Sequence, residues 1–194
     1  LLTDAISALV ARQPDLSVEI VAHTSAELLA QLDAGRLDLA ICRTTISQAP
    51  HAYESVKLQD ETLAVIANVA HPLRRAKKLT LNQLAPHRWV VYRANMPMRL
   101  LLEAEFRDCG IRFPQHLLET TSAFATLALL QANPSFVALV SIEVAQFFAR
   151  QQMSCILPVT LASRSEPYEL VTRKGGPVQP AAQLLIDELI HRRP

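Results

Sequence analysis

The sequence predicts an α/β protein with a mostly parallel sheet. Strand-like and helix-like segments alternate along most of the 194 residues, which is typical of a parallel sheet flanked by helices. Residues 37–42 (LDLAIC) form a short apolar run of the kind found in parallel strands buried on both faces. Before that run, Thr24 and Glu27 stand at capping-box spacing and Gly35 suits a helix end. Residues 16–42 therefore predict a βαβ unit with a right-handed crossover.

The remaining elements follow in order. Thr3 or Asp4 can cap a first helix, which Pro14 ends. We expect strands at 16–22, 37–42, 53–58, 62–68, 89–92, 117–120, 136–140, 155–159 and 168–173. We expect further helices between Thr24 and Gly35, at 98–109, at 122–131, at 142–150, and from Pro180 through Leu189.

Composition excludes several classes of protein. Half of the residues are hydrophobic and 19% are charged, so the chain can bury a real core, as one domain or two small lobes, and is not disordered. The formal net charge of +1 argues against a nucleic-acid binder acting alone, which would carry a basic excess. Only four glycines are present, and they leave no room for GxGxxG or a Walker loop.

Cysteine usage favours a reducing, cytoplasmic compartment. Cys42, Cys109 and Cys155 are odd in number and far apart, and none has a partner at metal-ligand spacing. We expect each to be a small buried apolar residue, and we expect no metal and no cofactor. The start of the chain has no basic signal-peptide region, and the apolar runs are too short to cross a bilayer, so no membrane association is expected.

No catalytic residue is predicted. His23 and His71 have no Ser, Cys or carboxylate partner at a recognisable motif spacing, and GxSxG and HExxH are missing. The basic run at 74–78 could contact nucleic acid, but it is short and lacks interleaved aromatic residues, so a solvated loop is favoured. The sequence therefore indicates a binding protein rather than an enzyme.

Two strand-to-helix junctions are rich in hydroxyl groups. They are residues 22–25 (AHTS) and 119–122 (ETTS). Each places hydroxyls and free backbone N–H groups at a helix N-terminus, which favours an anion such as a carboxylate without a glycine loop. Plain N-capping is the alternative for either junction taken alone.

The residues resemble the effector-binding domain of LysR-type transcriptional regulators. The resemblance covers nearly the whole chain, and its most specific part is the run Gly35–Ile41 (GRLDLAI) followed at the right distance by His71–Leu73 (HPL). It also includes PDLSVEI at 14–20, Thr24 and Ser25, WVV at 89–91, Thr121 and Ser122, residues 170–173, and PAA at 180–182.

The resemblance implies two Rossmann-like lobes, as in type II periplasmic binding proteins, with a ligand cleft between them. Lobe one would comprise residues 1–60 and 175–194, and lobe two residues 61–174. A small effector, which we expect to be an organic acid, would bind in the cleft and control DNA binding by the full-length protein. The alternative is a solute-binding receptor of a transport system with the same fold.

The resemblance also implies the effector-binding residues. In lobe one they are Thr24 and Ser25, together with Arg43, which directly follows the LDLAIC strand and could pair with a carboxylate through a bidentate fork. In lobe two they lie in the loop from Tyr92 and Arg93 to Met98. The junction at Thr121 and Ser122 is expected to face the same cleft.

Three features of the family are absent from residues 1–194. They are a Gly-containing first strand, the winged helix-turn-helix that binds DNA, and a Gly-x-Gly turn, in place of which this chain has Asn133-Pro134-Ser135. We therefore expect contact with DNA only through a separate N-terminal domain. The resemblance further implies a homodimer, and a tetramer for the full-length regulator.

Overall fold

The computed structural model describes residues 1–193, apart from the side chain of Glu61. The chain divides into two compact units. Unit 1 comprises Leu1–Asp60 and the chain from Glu166 onward, and unit 2 comprises Glu61–Ser165. The expected second boundary at residue 174 is therefore corrected to 165, because the strand Ser165–Arg173 pairs with a strand of unit 1.

Seven helices and eight strands are found among the described residues. The helices are α1 (Leu2–Arg12), α2 (Ser25–Asp33), α3 (Leu81–Leu84), α4 (Pro97–Asp108), α5 (Ala123–Ala132), α6 (Ile142–Arg150) and α7 (Pro180–His191). The strands are β1 (Ala40–Cys42), β2 (Tyr53–Glu61), β3 (Leu63–Ala67), β4 (Trp89–Val91), β5 (Leu117–Glu119), β6 (Val137–Ser141), β7 (Cys155–Ile156) and β8 (Ser165–Arg173). Short 3₁₀ turns lie at Thr44–Ile46, Pro50–Ala52 and Pro72–Arg75.

Unit 1 is built on a three-stranded sheet in the order β1-β8-β2. β1 runs antiparallel to β8, with Ala40 opposite Val171. Helices α1 and α7 pack on this sheet through a core that includes Leu9, Leu170 and Leu189. A second cluster joins Leu29 and Leu32 of α2 to β1. Gly35 follows α2 with a φ of 68°, the left-handed conformation expected of a residue that ends a helix.

The predicted strand at 16–22 is absent. These residues have no regular secondary structure, and therefore the predicted βαβ unit is not formed. The alternation of LSVEIVA is typical of a strand, but a strand also needs a neighbour to accept and donate its backbone hydrogen bonds. The described part of the chain supplies none to this segment.

Unit 2 is built on a five-stranded mixed sheet in the order β5-β4-β6-β3-β7. β4 runs parallel to β5 and β6, whereas β3 runs antiparallel to β6 and β7. The prediction of a mostly parallel sheet is therefore wrong. An apolar run indicates that both faces of a strand are buried, but it carries no information about strand direction.

The core of unit 2 covers both faces of its sheet. All five residues of β6 are buried, and the four apolar ones alternate between two clusters. Val137 and Leu139 pack with α3 and α4, while Ala138 and Val140 pack with α5 and α6. Such burial on both faces explains the continuous apolar sequence of this strand.

The three cysteines differ in burial. Cys42 is buried and Cys155 is half-buried, but Cys109 is exposed, so the expectation of three buried cysteines is wrong for Cys109. That residue follows the last turn of α4. No helix in residues 1–193 is both long and apolar enough to cross a membrane.

Candidate functional site

In unit 2 the C-terminal ends of β4 and β5 lie side by side. The two strands are parallel, with Val91 opposite Glu119. The backbone N–H of Thr120 donates to the Val91 carbonyl at 3.0 Å, which extends the pairing past the strand ends. The structure thus brings the loop that begins at Tyr92 next to the junction that leads into α5. Ligands of α/β sheets bind at such strand ends.

The N-terminus of α5 keeps unused donors. Ser122 caps the helix, because its Oγ accepts from the Ala125 N–H at 3.2 Å, and its own N–H donates to Thr120 Oγ1 at 3.1 Å. The N–H groups of Ala123 and Phe124 have no acceptor within residues 1–193. Thr121 and Ser122 are exposed, as expected for a binding junction. These N–H groups and the helix dipole favour an anion here.

Arg93 is an exposed cation in the loop that follows β4. It is the second residue after β4, and its guanidinium has no partner among the described residues. A free guanidinium can bind a carboxylate through two parallel hydrogen bonds. Arg93 and the α5 N-terminus therefore follow the ends of two neighbouring strands, and each is a group that favours an anion.

Tyr92 and Met98 lie deeper than the loop prediction implied. Tyr92 is half-buried and packs against the core of unit 2. Met98 is only 8% exposed and is itself part of that core. A core methionine cannot reach a ligand without a change in packing, so Met98 is the weakest of the predicted effector-binding residues.

A buried arginine holds this edge of unit 2 together. Arg99 is only 6% exposed. Its Nε donates to Glu103 Oε1 at 2.7 Å, while Nη1 donates to Glu119 Oε1 at 3.0 Å and to the Tyr92 carbonyl at 3.3 Å. Its guanidinium also lies 4.7 Å from the centre of the Phe113 ring. Arg99 thereby ties the ends of β4 and β5 to α4. Sequence reasoning gave Arg99 no such role, and the only signal was Glu103 four residues later.

In unit 1, Thr24 is part of a complete capping box. Its hydroxyl accepts from the Glu27 N–H at 3.4 Å, and its own N–H donates to Glu27 Oε2 at 2.9 Å. The hydrogen bonds from the backbone and side chain of Thr24 lower the pKa of Glu27, and His23 lowers it further. The prediction of a capping box is confirmed, but it also places a carboxylate at this helix start, where an effector anion would be repelled.

The structure brings Ser25 and Arg43 together. The backbone N–H of Arg43 donates to Ser25 Oγ at 3.3 Å. The side chain of Arg43 is buried, its Nε donates to the Glu166 carbonyl at 3.1 Å, and its guanidinium lies 4.1 Å from the centre of the Tyr168 ring. These contacts attach the end of β1 to β8. The guanidinium is therefore already engaged within unit 1.

A carboxylate adjoins this arrangement on the same strand. Glu169 accepts from the Thr44 N–H at 3.0 Å, from the Thr44 hydroxyl and from Ser55 Oγ at 3.0 Å. Burial alone would raise the pKa of Glu169, but the hydrogen bonds from Thr44 and Ser55 outweigh that effect and lower it. No sequence motif indicated Glu169, because its partners lie more than a hundred residues away along the chain.

The histidines considered for catalysis have structural contacts. His71 is buried, and its Nδ1 accepts from the Leu73 N–H at 3.1 Å, which caps a short 3₁₀ turn. His23 lies on the surface near Glu27. Within residues 1–193 no cluster of three His, Cys, Asp or Glu residues could hold a metal ion. The basic run at 74–78 is mostly exposed, as expected of a solvated loop.

The fold and these strand-end junctions define a small-molecule binding domain of α/β type. The LysR substrate binding domain family matches residues 1–193. The chain therefore belongs to the LysR substrate binding domain family, and the curated relatives that it matches are HTH-type transcriptional regulators. The resemblance stated from the sequence is confirmed.

Individual proteins agree with this assignment. The chain is 27% identical over 190 residues to the HTH-type transcriptional regulator GbpR of Azospirillum brasilense. The match covers 97% of this chain and 55% of that protein. Among solved structures, it is similar to the effector binding domain of QuiR in complex with shikimate, with a TM-score of 0.75, 14% identity, and coverage of 99% and 90% of the two chains.

A second solved structure gives the same result. The regulatory domain of CcmR from Synechocystis PCC6803, in complex with 2-PG, has a TM-score of 0.75 at 16% identity, and the match covers 99% of this chain and 90% of that one. At such identities the likeness establishes the fold alone. That fold is like the one of type II periplasmic binding proteins, as the sequence led us to expect. The chain spans about half the length of the curated relatives that it matches.

Proposed function

We propose that this chain is the ligand-sensing domain of a bacterial LysR-type transcriptional regulator and that its effector is a small organic acid. The observation that carries the proposal is the junction in unit 2, where the exposed Arg93 and the N–H groups of Ala123 and Phe124, which have no backbone acceptor, follow the neighbouring ends of β4 and β5. An arginine and a helix N-terminus both favour a carboxylate. Two solved domains of the same fold are in complex with small molecules, one with shikimate and the other with 2-PG.

The proposed contacts differ between the two units. In unit 2, Arg93, Thr121 and Ser122 bind the acid, and Tyr92 contributes a partly exposed ring. In unit 1, the Ser25 hydroxyl donates to the effector, since its oxygen already accepts from Arg43. Arg43 holds that hydroxyl in place through its backbone N–H, and Thr24 caps α2, so neither is proposed as a main anion ligand.

Regulation requires that the effector bind one conformation of the domain more tightly than another. A ligand with equal affinity for both would shift nothing. We propose that this preference alters DNA binding by a helix-turn-helix domain of the full-length protein, in the cytoplasm, within a homodimer of this domain and a tetramer of the whole regulator. The relatives are named HTH-type transcriptional regulators, which favours this proposal over a transport receptor.

The test begins with a thermal-shift screen of organic acids against the chain. A true effector at 100 times its Kd adds about 2.7 kcal/mol to the free energy of unfolding. Calorimetry with the best acid then compares Arg93→Gln with Arg75→Gln, a matched change of an exposed arginine in the basic loop. We expect Arg93→Gln to weaken binding by about tenfold or more and Arg75→Gln to leave it unchanged.

Other changes refine the site. Thr121→Val and Ser25→Ala each remove one hydroxyl, and each should weaken binding by about 1–3 kcal/mol if that hydroxyl contacts the effector. Equal affinity in Arg93→Gln, Thr121→Val and the unaltered chain would show that the acid binds elsewhere, and the assignment of the unit 2 junction would fail.

A further inference from the structure

The segment between β3 and α3 of unit 2 carries four cations within five residues. They are Arg74, Arg75, Lys77 and Lys78, here called the basic ridge, and all four are exposed. Among residues 1–193, no carboxylate pairs with any of them. The formal net charge of the whole chain is only +1, so the basic ridge is a local concentration of positive charge.

The basic ridge is anchored on the core of unit 2. Leu73, Ala76 and Leu79 alternate with the two pairs of cations along the chain. Leu79 is only 3% exposed, and Leu73 and Ala76 are half-buried against the same core cluster. Because every third residue packs inward, the two pairs of cations between them are held on the outer surface.

Hydrogen bonds fix the backbone of the same segment. The N–H of Leu73 donates to His71 Nδ1 at 3.1 Å, and the N–H of Arg74 donates to the His71 carbonyl at 3.1 Å. At the other end, the N–H of Leu79 donates to the Pro158 carbonyl at 2.9 Å. Exposure alone fits a solvated loop, but these contacts order the backbone that carries the cations. A partner that binds them therefore has little backbone entropy to remove.

The composition of this surface matches a phosphate backbone better than a protein partner. Residues 70–80 contain no Phe, Tyr or Trp and expose no large hydrophobic side chain. Protein–protein interfaces are centred on apolar and aromatic residues, and single-stranded nucleic acid is held by stacking on aromatic rings. Interfaces with duplex DNA are polar and strongly positive, and their Lys and Arg side chains contact phosphates without reading the sequence.

We propose that the basic ridge binds the phosphate backbone of duplex DNA, without sequence preference, as a second DNA contact of the whole regulator. The sequence predicted contact with DNA only through a separate domain. The proposal rests on the proposed function in one respect, namely that such a regulator holds this domain close to DNA. A net charge of +1 makes the contact weak for the chain alone, whereas tethering raises the effective concentration of DNA at the ridge to about millimolar.

The first test is the salt dependence of binding between the 194-residue chain and a fluorescent DNA duplex of arbitrary sequence, measured by anisotropy. Each cation that contacts a phosphate releases counterions, so four contacts should lower the affinity about 50-fold between about 20 and 60 mM salt. In the double variant Arg74→Gln/Arg75→Gln two contacts remain, and the same change of salt should lower the affinity only about sevenfold. No binding at the lower salt, or an unchanged salt dependence in this variant, would overturn the proposal.

A matched double variant separates the basic ridge from net charge. Arg107 and Arg112 are exposed arginines of the same unit, outside the ridge. Arg107→Gln/Arg112→Gln changes the net charge by the same amount, and we expect it to keep the salt dependence of the unaltered chain. If it weakens the salt dependence as much as Arg74→Gln/Arg75→Gln does, the DNA responds to overall charge, and the assignment to the ridge is wrong.

The lysines of the chain locate the contact directly. Lys77 and Lys78 belong to the basic ridge, whereas the other two lysines, Lys57 and Lys174, are exposed in unit 1. Acetylation at low salt, read by mass spectrometry with and without duplex DNA, should slow several-fold at Lys77 and Lys78 and stay unchanged at Lys57 and Lys174. Equal slowing at all four lysines, or at none, would overturn the proposal.

An acidic polypeptide is the other partner that this surface could take. Poly-glutamate at the same concentration of charge replaces the DNA in a parallel acetylation experiment. We expect weaker protection of Lys77 and Lys78 than with DNA, and protection as strong as with DNA would overturn the assignment to a phosphate backbone. Neither experiment contains an effector, so a failure here leaves the effector screen unaffected, and a failure of that screen leaves the basic ridge unaffected.

Discussion

The two units differ in how completely their sheets are paired. In unit 2 every residue of β6 is buried, and neighbouring strands occupy both of its edges. In unit 1 the strand-like segment 16–22 pairs with no strand among the described residues, and Ile20 is 59% exposed. Similar apolar sequences thus become a central strand in one unit and irregular chain in the other. The difference shows that a strand is a property of a pair of edges, not of a segment alone.

The units also differ in what their polar junctions do. In unit 2, Arg93 and Thr121 are exposed, and the first N–H groups of α5 are unused. In unit 1, Thr24 and Arg43 are occupied by capping and by contacts with β8. The groups able to bind a ligand are therefore concentrated in unit 2, whereas the corresponding groups of unit 1 mainly stabilise the fold.

The largest expected change in stability comes from truncating a core side chain, and it tests whether the core of unit 2 is packed more tightly than that of unit 1. Phe106 is fully buried in unit 2, with its ring 5.6 Å from that of Trp89 and 5.2 Å from that of Phe113. We expect Phe106→Ala to lower the free energy of unfolding by about 3–5 kcal/mol. Leu9 in unit 1 lines an apolar groove of about 400 Å³, so we expect Leu9→Ala to lower the free energy of unfolding by only about 2 kcal/mol.

Urea denaturation monitored by circular dichroism measures both changes. Phe147→Ala serves as the control, because Phe147 is 53% exposed and its loss should cost less than about 1 kcal/mol. A loss for Leu9→Ala as large as that for Phe106→Ala would show that unit 1 is packed as tightly as unit 2, and the comparison of the two cores would fail.

A smaller effect is expected at the buried arginine of unit 2. Arg99→Met keeps the length and the apolar part of the side chain but removes its ion pairs with Glu103 and Glu119 and its hydrogen bond to Tyr92. We expect a loss of about 2 kcal/mol, since charged hydrogen bonds are lost but the two carboxylates are partly exposed to water.

The control for this change lies on the same helix. Arg107 is 73% exposed beside Asp108, so Arg107→Met should leave stability nearly unchanged. Denaturation of both variants, followed by the effector-affinity measurement, separates the roles of Arg99. If Arg99→Met is as stable as the unaltered chain, Arg99 does not hold the strand ends as its contacts indicate.

Arg99 also illustrates what the sequence could and could not predict. Periodicity and capping placed most helices and strands, because those features depend on neighbouring residues. The capping box at Thr24 and the helix cap at Ser122 are local in the same sense, and both are found. The contacts of Arg99 with Glu119 and of Glu169 with Thr44 join residues distant in sequence, so no local pattern indicates them.

Strand direction and pairing were beyond prediction for the same reason. The apolar runs of β3 and β6 are equally consistent with parallel and antiparallel neighbours, and the structure pairs them antiparallel. The alternation at 16–22 predicted a strand that the structure does not contain, because a strand also needs a neighbouring strand to pair with. Residue exposure, as at Met98 and Cys109, likewise depends on tertiary packing.

The smallest expected effect is the loss of stability of each unit as the pH falls from neutral. Burial lowers the pKa of His71 in unit 2 below 6.5, and the neighbouring His87 lowers it further, although the nearby Ser135 backbone opposes this. Because the folded-state pKa is lower than that of the unfolded chain, stability is lost as the pH falls from 6.5 through the folded value. In unit 1 the pKa of Glu169 is lowered from 4.5, so its contribution persists above pH 4.5 and is lost only below it.

Acid should therefore affect unit 2 at a higher pH than unit 1. Hydrogen exchange of β6 and β8 amides between pH 7 and 4, corrected for the intrinsic exchange rate, should show β6 losing protection first. His71→Asn is the matched variant, because the Asn oxygen can accept from the Leu73 N–H as Nδ1 does, yet the side chain cannot be protonated in this range. We expect this variant to lose the early change at β6 and to leave β8 unaffected. If β6 in His71→Asn responds to acid as before, the buried histidine is not what distinguishes the two units.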